Sequence, residues 1–311
     1  MERISSEQIL ARLEDRVIIM DGAMGTLLQK QGMCVHSPEL DIAESPCLLN
    51  LTDTESVAEA HRSYIRSGSE LIETNTFNSA AVSHQGGANV YGINFIGAQT
   101  ACKVAVEEGL GFMLSDDNVS SWKEEWGPRR AIVAGSIAAT SRNSAEYEKM
   151  AAGLLDGGAD VLLLESTYDL SNAEAALGAI AGCGLPVMMS VSIDKKGSIL
   201  SGENFRTVFA RLARFGLFSI GFNCSVGAQA MIPFVSELAE FAEDCPISIC
   251  PSAGLPDADG HYPEGPEFWA SCIKKMGPAF NFAGGCCGTT PEYIKALATA
   301  LKGFGELQNR F

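Results

Sequence analysis

Gly157-Gly158-Ala159-Asp160-Val161-Leu162-Leu163-Leu164-Glu165 is the stretch on which the fold is decided. A glycine tolerates the left-handed backbone that ends a helix. The apolar run after it is short and does not alternate, the pattern of a strand buried on both faces of a parallel sheet. The run then stops on a carboxylate. The same sequence of events recurs. Ser67-Gly68 leads into Glu70–Asn75, Phe215-Gly216 into Phe218–Cys224, and Met276-Gly277 into Ala279–Cys286. Val17–Met20, Ala131–Ile137, Val187–Ser192 and Ile247–Pro251 complete a set of eight strands with helical segments between them. Asp53-Thr54 and Thr290-Pro291 mark helix starts. Eight βα units predict an α/β fold, a (β/α)8 TIM barrel forming one domain over 1–311 (strands from about 17 to 287, final helix 291–302). An open doubly wound sheet is the competing arrangement. Leu114–Pro128 reads as an irregular connection.

From each helix-ending glycine, the distinctive residue lies seven (Gly68 to Asn75, Gly158 to Glu165), eight (Gly216 to Cys224) or nine (Gly277 to Cys286) positions on. All four therefore end strands, and in a barrel the strand C-termini form the functional rim.

Composition bounds the function. The chain has 311 residues, 46% hydrophobic and 19% charged, with a net charge of −16. Such a charge repels a polyphosphate backbone, so no nucleic-acid partner is expected. The polar N-terminus lacks the apolar stretch of a signal peptide, and no apolar run approaches the ~20 residues that span a bilayer. No membrane partner and a cytoplasmic location are expected. In a reducing compartment, ten cysteines point to packing, catalysis or metal rather than disulfides.

Cys224 follows Gly-Phe-Asn at one strand end; Cys286 and Cys287 follow Gly284-Gly285 at another. Three thiolates at about 2.3 Å from zinc would leave one tetrahedral position open, as in a catalytic site. Adjacent residues of a regular strand face opposite ways, but Gly284, Gly285 and Gly288 allow the backbone to bend there. Spacing alone leaves metal binding and a redox-active or disulfide-bonded vicinal pair both open. A three-thiolate site is a poor electrophile for water activation, yet it can hold a fourth thiol as thiolate. There is no His-Glu-x-x-His motif for zinc hydrolysis. Cys34, Cys47, Cys102, Cys183, Cys245, Cys250 and Cys272 read as packing.

These motifs resemble the homocysteine S-methyltransferase family, most closely the homocysteine-binding domain of cobalamin-dependent methionine synthase. The resemblance is carried by Met20–Thr26, Glu73–Asn78, Leu200-Ser201-Gly202, Gly221–Ser225, Ala253–Pro256 and Gly284–Pro291, which together reach from residue 17 to about 300. It implies a barrel, one Zn2+ on Cys224, Cys286 and Cys287, and homocysteine held as zinc thiolate and methylated to methionine. It further implies that N–H groups of the Gly22–Thr26 turn, including Gly22 and Ala23, receive the amino-acid carboxylate. Glu165 would receive the ammonium group, Asp21 and Asn75 would orient substrate or loops, and Asn223, next to Cys224, would fix that ligand or approach the open zinc position. Glu165 could instead be a rim carboxylate paired with an arginine. Asp21 and Asn75 could instead be turn or cap residues.

The chain departs from the family pattern at Ala138-Ala139-Thr140, in a short Ser141–Tyr147 segment, and at Ser252. With the sequence ending at Phe311, methylcobalamin is expected only on a separate corrinoid- or folate-binding protein. Otherwise a small donor such as S-methylmethionine would serve. The altered rim keeps two alternatives open: a methyltransferase for another small thiol, or an inactive domain that binds zinc or an amino acid.

Overall fold

The computed structural model of the chain describes residues 3–14, 16–32, 45–86, 89–115 and 131–303. Eight strands form one parallel sheet: β1 (Ile18–Ile19), β2 (Leu71–Glu73), β3 (Ile132–Ala138), β4 (Val161–Thr167), β5 (Val187–Val191), β6 (Ser219–Gly227), β7 (Ile247–Ser252) and β8 (Phe282–Ala283). The order runs β1-β8-β7-β6-β5-β4-β3-β2. A parallel bridge between Met20 and Leu71, and Glu70 N donating to Ile19 O at 2.7 Å, join the two ends. This is a (β/α)8 barrel, as the recurring glycine-strand pattern predicts. A helix α1 (Ser6–Leu13) precedes β1, and α2 (Met24–Lys30), α3 (Leu49–Thr52) and α4 (Thr54–Arg66) follow it. Then come α5 (Ser79–Gly86) and α6 (Val90–Ser115) after β2, α7 (Ser144–Gly157) after β3, and α8 (Leu170–Ile180) after β4. The last four are α9 (Phe205–Leu212), α10 (Ala228–Phe241), α11 (Pro266–Lys275) and α12 (Pro291–Ala300).

The apolar strands serve two cores at once. Leu71, Ile132, Ala134, Val161, Leu163, Met188 and Phe282 fill the barrel interior. Their neighbours Ile72, Val133, Leu162, Leu164, Val187 and Met189 pack outward against the helices. Both faces are buried, so hydrophobicity does not alternate although side-chain direction does. Ile9 and Leu13 of α1, with Ile4 before it, join the interior cluster and plug the end of the barrel opposite the rim. Asp160 stitches them in, accepting from Ile4 N at 2.9 Å and Val133 N at 2.9 Å.

All four helix-ending glycines have positive φ: 114° at Gly68, 101° at Gly158, 64° at Gly216 and 65° at Gly277. Asp53 caps α4 through Ser56 N. Thr290 has cap backbone geometry but its side chain makes no cap hydrogen bond, leaving Pro291 to start α12. Of the expected irregular connection, 114–115 belong to α6 and 116–128 lie outside the described residues, as does Cys34. Cys47, Cys102, Cys250 and Cys272 are buried.

Candidate metal and substrate site

The register of β6 against β7 shifts between Asn223 and Gly227. Within that irregularity Cys224 takes a left-handed backbone, φ 58°, a conformation that costs a non-glycine residue free energy and is kept where surroundings enforce it. β8 ends at Ala283, and the chain leaves it through Gly284-Gly285. Gly284 N donates to Ile249 O (2.9 Å), Gly285 N to Asp21 O (2.9 Å) and Cys286 N to Pro251 O (3.0 Å), while Ala253 N donates to Cys287 O (2.9 Å). Thr289 N then closes a turn on Cys286 O at 3.1 Å. Cys286 and Cys287 thus sit in a turn rather than a strand and escape strand alternation.

The three Sγ atoms lie within 4.8 Å of one another, Cys224 and Cys287 at 3.4 Å. Tetrahedral bonds of about 2.3 Å put zinc-bound sulfurs roughly 3.8 Å apart, so this thiol cluster can hold a metal ion. Hydrogen bonding with Cys224 and Cys287, then burial, holds the Cys286 thiol well above its usual range. The hydrogen bond with Cys224 is the largest influence raising Cys287 to about 11. A cation among the three sulfurs would relieve this and favour their thiolate forms. Ser252, one of the departures from the family pattern, has its Oγ 3.7 Å from Cys224 Sγ.

Beside the sulfurs lie three carboxyls from three strands. Glu165 of β4 is 9% exposed. Ser136 Oγ of β3 donates to its Oε1, and Asn223 Nδ2 to its Oε2 at 3.2 Å. Asp21 follows β1 and is 1% exposed; its Oδ2 accepts from Glu73 N at 3.0 Å. Half-buried Glu73 ends β2, and after burial the Glu165 and Asp21 carboxylates help hold its carboxyl well above the usual range. Burial is the largest influence on all three and raises all three, Glu165 to about 7. Among the described residues the Glu165 carboxylate accepts from Ser136 and Asn223 and pairs with no arginine.

The other expected residues occupy varied positions. Asn223 is fully engaged: its Oδ1 accepts from Ser166 N (2.9 Å) and Ser190 Oγ (2.8 Å), and its Nδ2 donates to Ser166 Oγ (2.7 Å) as well as to Glu165. It links the strand of Cys224 to the carboxyl cluster. Gly22 lies where a Cβ would come within 2.8 Å of Thr289 Oγ1 and 2.9 Å of the Tyr64 ring. Ala23 N donates to Thr289 Oγ1 at 3.2 Å. Asn75 turns to the segment before α4, its Nδ2 donating to Pro46 O (2.7 Å) and Asn50 Oδ1 (3.2 Å). The short Ser141–Tyr147 segment is closed on itself, Ser141 N donating to Tyr147 Oη at 2.9 Å and Tyr147 Oη to Ser141 O at 2.8 Å.

Three residues near the site went unassigned from sequence. Glu73 could have been found by strand parity, since Leu71 points inward and Glu73 is two residues on. The Tyr262 ring lies on Gly288, where a Cβ would be 2.3 Å from the ring. Burial and then the Cys287 and Cys224 thiolates push its phenol up to about 12. Nothing in the loop sequence signals that stacking. Tyr64 of α4 is buried with an unpartnered hydroxyl, and burial, then Asp21 and Glu73, raise its pKa well above the usual phenol range.

With Glu165 titrating at about 7, its charge is lost as pH falls through 7, and the site's pull on an ammonium goes with it. Methionine, whose sulfur does not ionise, isolates this effect. Its affinity should fall by up to about tenfold per pH unit below roughly pH 6, read by calorimetry between pH 5.5 and 8. A flat profile would remove Glu165 from ligand binding. The stability sign is opposite. The folded carboxyl holds its proton above the ordinary 4.5, so the ligand-free protein loses stability as pH rises from 4.5 to about 7.

A family model for homocysteine S-methyltransferase matches residues 18–301. Among solved structures, the chain is similar to the homocysteine methyltransferase MmuM from Escherichia coli. The apo form is 19% identical, with 95% of this chain and 100% of that chain covered, at a TM-score of 0.67. The metallated form is 21% identical, with 94% and 99% covered, at 0.70. These likenesses show a shared barrel fold.

Proposed function

The chain belongs to the homocysteine S-methyltransferase family, and from that premise we propose that it methylates the thiol of homocysteine to give methionine, with Cys224, Cys286 and Cys287 holding one zinc ion. The observation that carries this reading is the meeting of three sulfurs, from the ends of β6 and β8, within 4.8 Å of one another and beside an anionic pocket. A zinc ion there would let an incoming thiol ionise near neutral pH while leaving its sulfur electron-rich.

The chain's own residues bind and orient. Glu165, held from two sides by Ser136 and Asn223, accepts from the substrate ammonium. The first N–H groups of α2 lack intrahelical acceptors and receive the carboxylate, with Gly22 letting the chain pass close to Thr289 and Tyr64. Asp21 fixes the end of β2 through Glu73 N, and Asn75 holds the 46–50 segment. The substrate is thereby aimed with its sulfur toward the cysteines. In the transfer, the sulfur–carbon bond forms as the donor–methyl bond breaks, and the thiol proton goes to solvent. The same reading places the protein in the cytoplasm, a reducing compartment where its nine described free cysteines persist. Among the described residues no helix is long and apolar enough to cross a membrane.

For the donor we favour a methylated corrinoid- or folate-binding protein. Contact with such a donor would fall on the loops after β5 and β7, where Leu200 (84%) and Leu255 (54%) are exposed. Zinc-loaded protein should form methionine from homocysteine when a methylated corrinoid protein is added. Turnover with S-methylmethionine alone would replace this donor by a small one. Binding of homocysteine without turnover on any donor would overturn the methyltransferase reading.

A further inference from the structure

One tripeptide touches all three cysteines of the cluster. Where β7 ends, Pro251 O accepts from Cys286 N at 3.0 Å, and Ala253 N donates to Cys287 O at 2.9 Å. Between them, Ser252 Oγ lies 3.7 Å from Cys224 Sγ and is oriented to donate to it. The strand irregularity makes that approach. From the register pair Asn223–Cys250 to the pair Gly227–Ser252, β6 carries Cys224, Ser225 and Val226 where β7 carries Pro251 alone. Ser252 is 3% exposed, and its hydroxyl has no other hydrogen-bond partner among the described residues. A buried hydroxyl is costly unless it is bonded, and a thiol sulfur is a weak acceptor. A thiolate is a stronger one. The hydroxyl therefore suits the ionised form of Cys224, the form that binds a metal.

Resting on the zinc reading above, we infer that Ser252 is a positioning residue of the metal centre: its hydroxyl donates to the Cys224 thiolate, holds that sulfur in place and draws off part of its charge. Three thiolates on a divalent ion leave one excess negative charge, and an incoming thiolate adds a second. A donor on Cys224 offsets part of that charge and eases the entry of a fourth sulfur. Pro251 and Ala253 hold Cys286 and Cys287 through backbone atoms, so a change of side chain at Ser252 leaves those two bonds in place.

The test uses the full chain loaded with zinc and, for its spectrum, with cobalt(II). Ser252→Ala should weaken zinc about tenfold in chelator competition, the scale of losing an outer partner of a metal site. Its sulfur-to-cobalt charge-transfer band should move to longer wavelength, because a sulfur without its hydrogen bond gives up electron density more easily. A packing role alone would not move that band. Ser252→Thr, which keeps the hydroxyl, should keep the wild-type band. Metal-free Ser252→Ala should melt within about 4 °C of wild type, the control that it is folded. A band at the wild-type position in Ser252→Ala, or one displaced equally in Ser252→Thr, would overturn the inference. If wild-type protein takes up neither metal, the functional reading itself fails. If it takes up both and Ser252→Ala matches it in affinity and band position, only this inference fails.

Discussion

Cys287→Ser protein is expected to hold zinc at least about a hundredfold more weakly than wild type, and to lose methyl transfer in the same measure. Apparent zinc affinities of about 10–16 kcal/mol in four-ligand sites assign roughly 3 kcal/mol to each ligand, and that is about two decades in dissociation constant. Serine cannot make up the difference, since its hydroxyl does not ionise near neutrality and is a harder donor than a thiolate. Cys287 sits 3.4 Å from Cys224 on a turn fixed at Pro251 O and Ala253 N, so the backbone does not depend on the sulfur. The variant should fold and lose only its metal. Cys272→Ser, at a buried thiol of α11, supplies the contrast: whatever it does to packing, it should keep one zinc per chain. Chelator competition with metal analysis reads both. If Cys287→Ser retained zinc with unchanged resistance to chelator, the assigned ligand set would be wrong.

How much of this was legible in the sequence divides along physical lines. Helix-ending glycines could be read because only a left-handed backbone requires them so strongly, and Gly68, Gly158, Gly216 and Gly277 all adopt it. The thiol cluster could be read because Cys286 and Cys287 stand between glycines that release them from strand alternation. What was hidden depended on non-local partners. Whether Asn75 faces the pocket or the loop is settled by Asn50 and Pro46, twenty-five or more residues away. Tyr262 reaches Gly288 from a loop with no periodicity. Glu73 was hidden differently: its strand is three residues long, too short to display a period, so its inward direction emerges only once Leu71 is seen inside the barrel. Asn223, expected to fix Cys224 or approach the open zinc position, has its side chain engaged with Ser166, Ser190 and Glu165. The left-handed backbone at Ser166 (φ 53°) and Cys224 (φ 58°) lies at the strand irregularities that bring these groups together. Local pattern therefore specifies where each strand ends, while side-chain direction at the rim is set by pairings across the barrel.

The second large effect concerns the frame. Gly221→Ala should destabilise the protein by about 3 kcal/mol or more, at the upper end of overpacking costs. A Cβ at Gly221 would lie 1.9 Å from the Ser248 carbonyl oxygen and 2.3 Å from Ser248 Oγ. Gly221 and Ser248 are register partners on β6 and β7, so the obstacle is backbone of the neighbouring strand rather than a side chain that can rotate away. Relief requires β6 and β7 to separate, which breaks the parallel ladder that carries Cys224 and the turn of Cys286 and Cys287. At about 2 °C per kcal/mol for a chain of this size, the midpoint of thermal unfolding should fall by at least about 6 °C. Gly178→Ala is the matched control. That position is inside α8 with nothing within 4 Å of a Cβ, and alanine there should raise stability by up to about 1 kcal/mol through helix propensity. Gly221→Ala molecules that still fold should also bind homocysteine more weakly, because Asn223, two residues on, would be displaced from Ser190 Oγ, Ser166 N and Glu165. A Gly221→Ala protein melting within about 2 °C of wild type would show that the two strands are not packed as closely as this geometry requires, and the route from barrel register to pocket shape would fail with it.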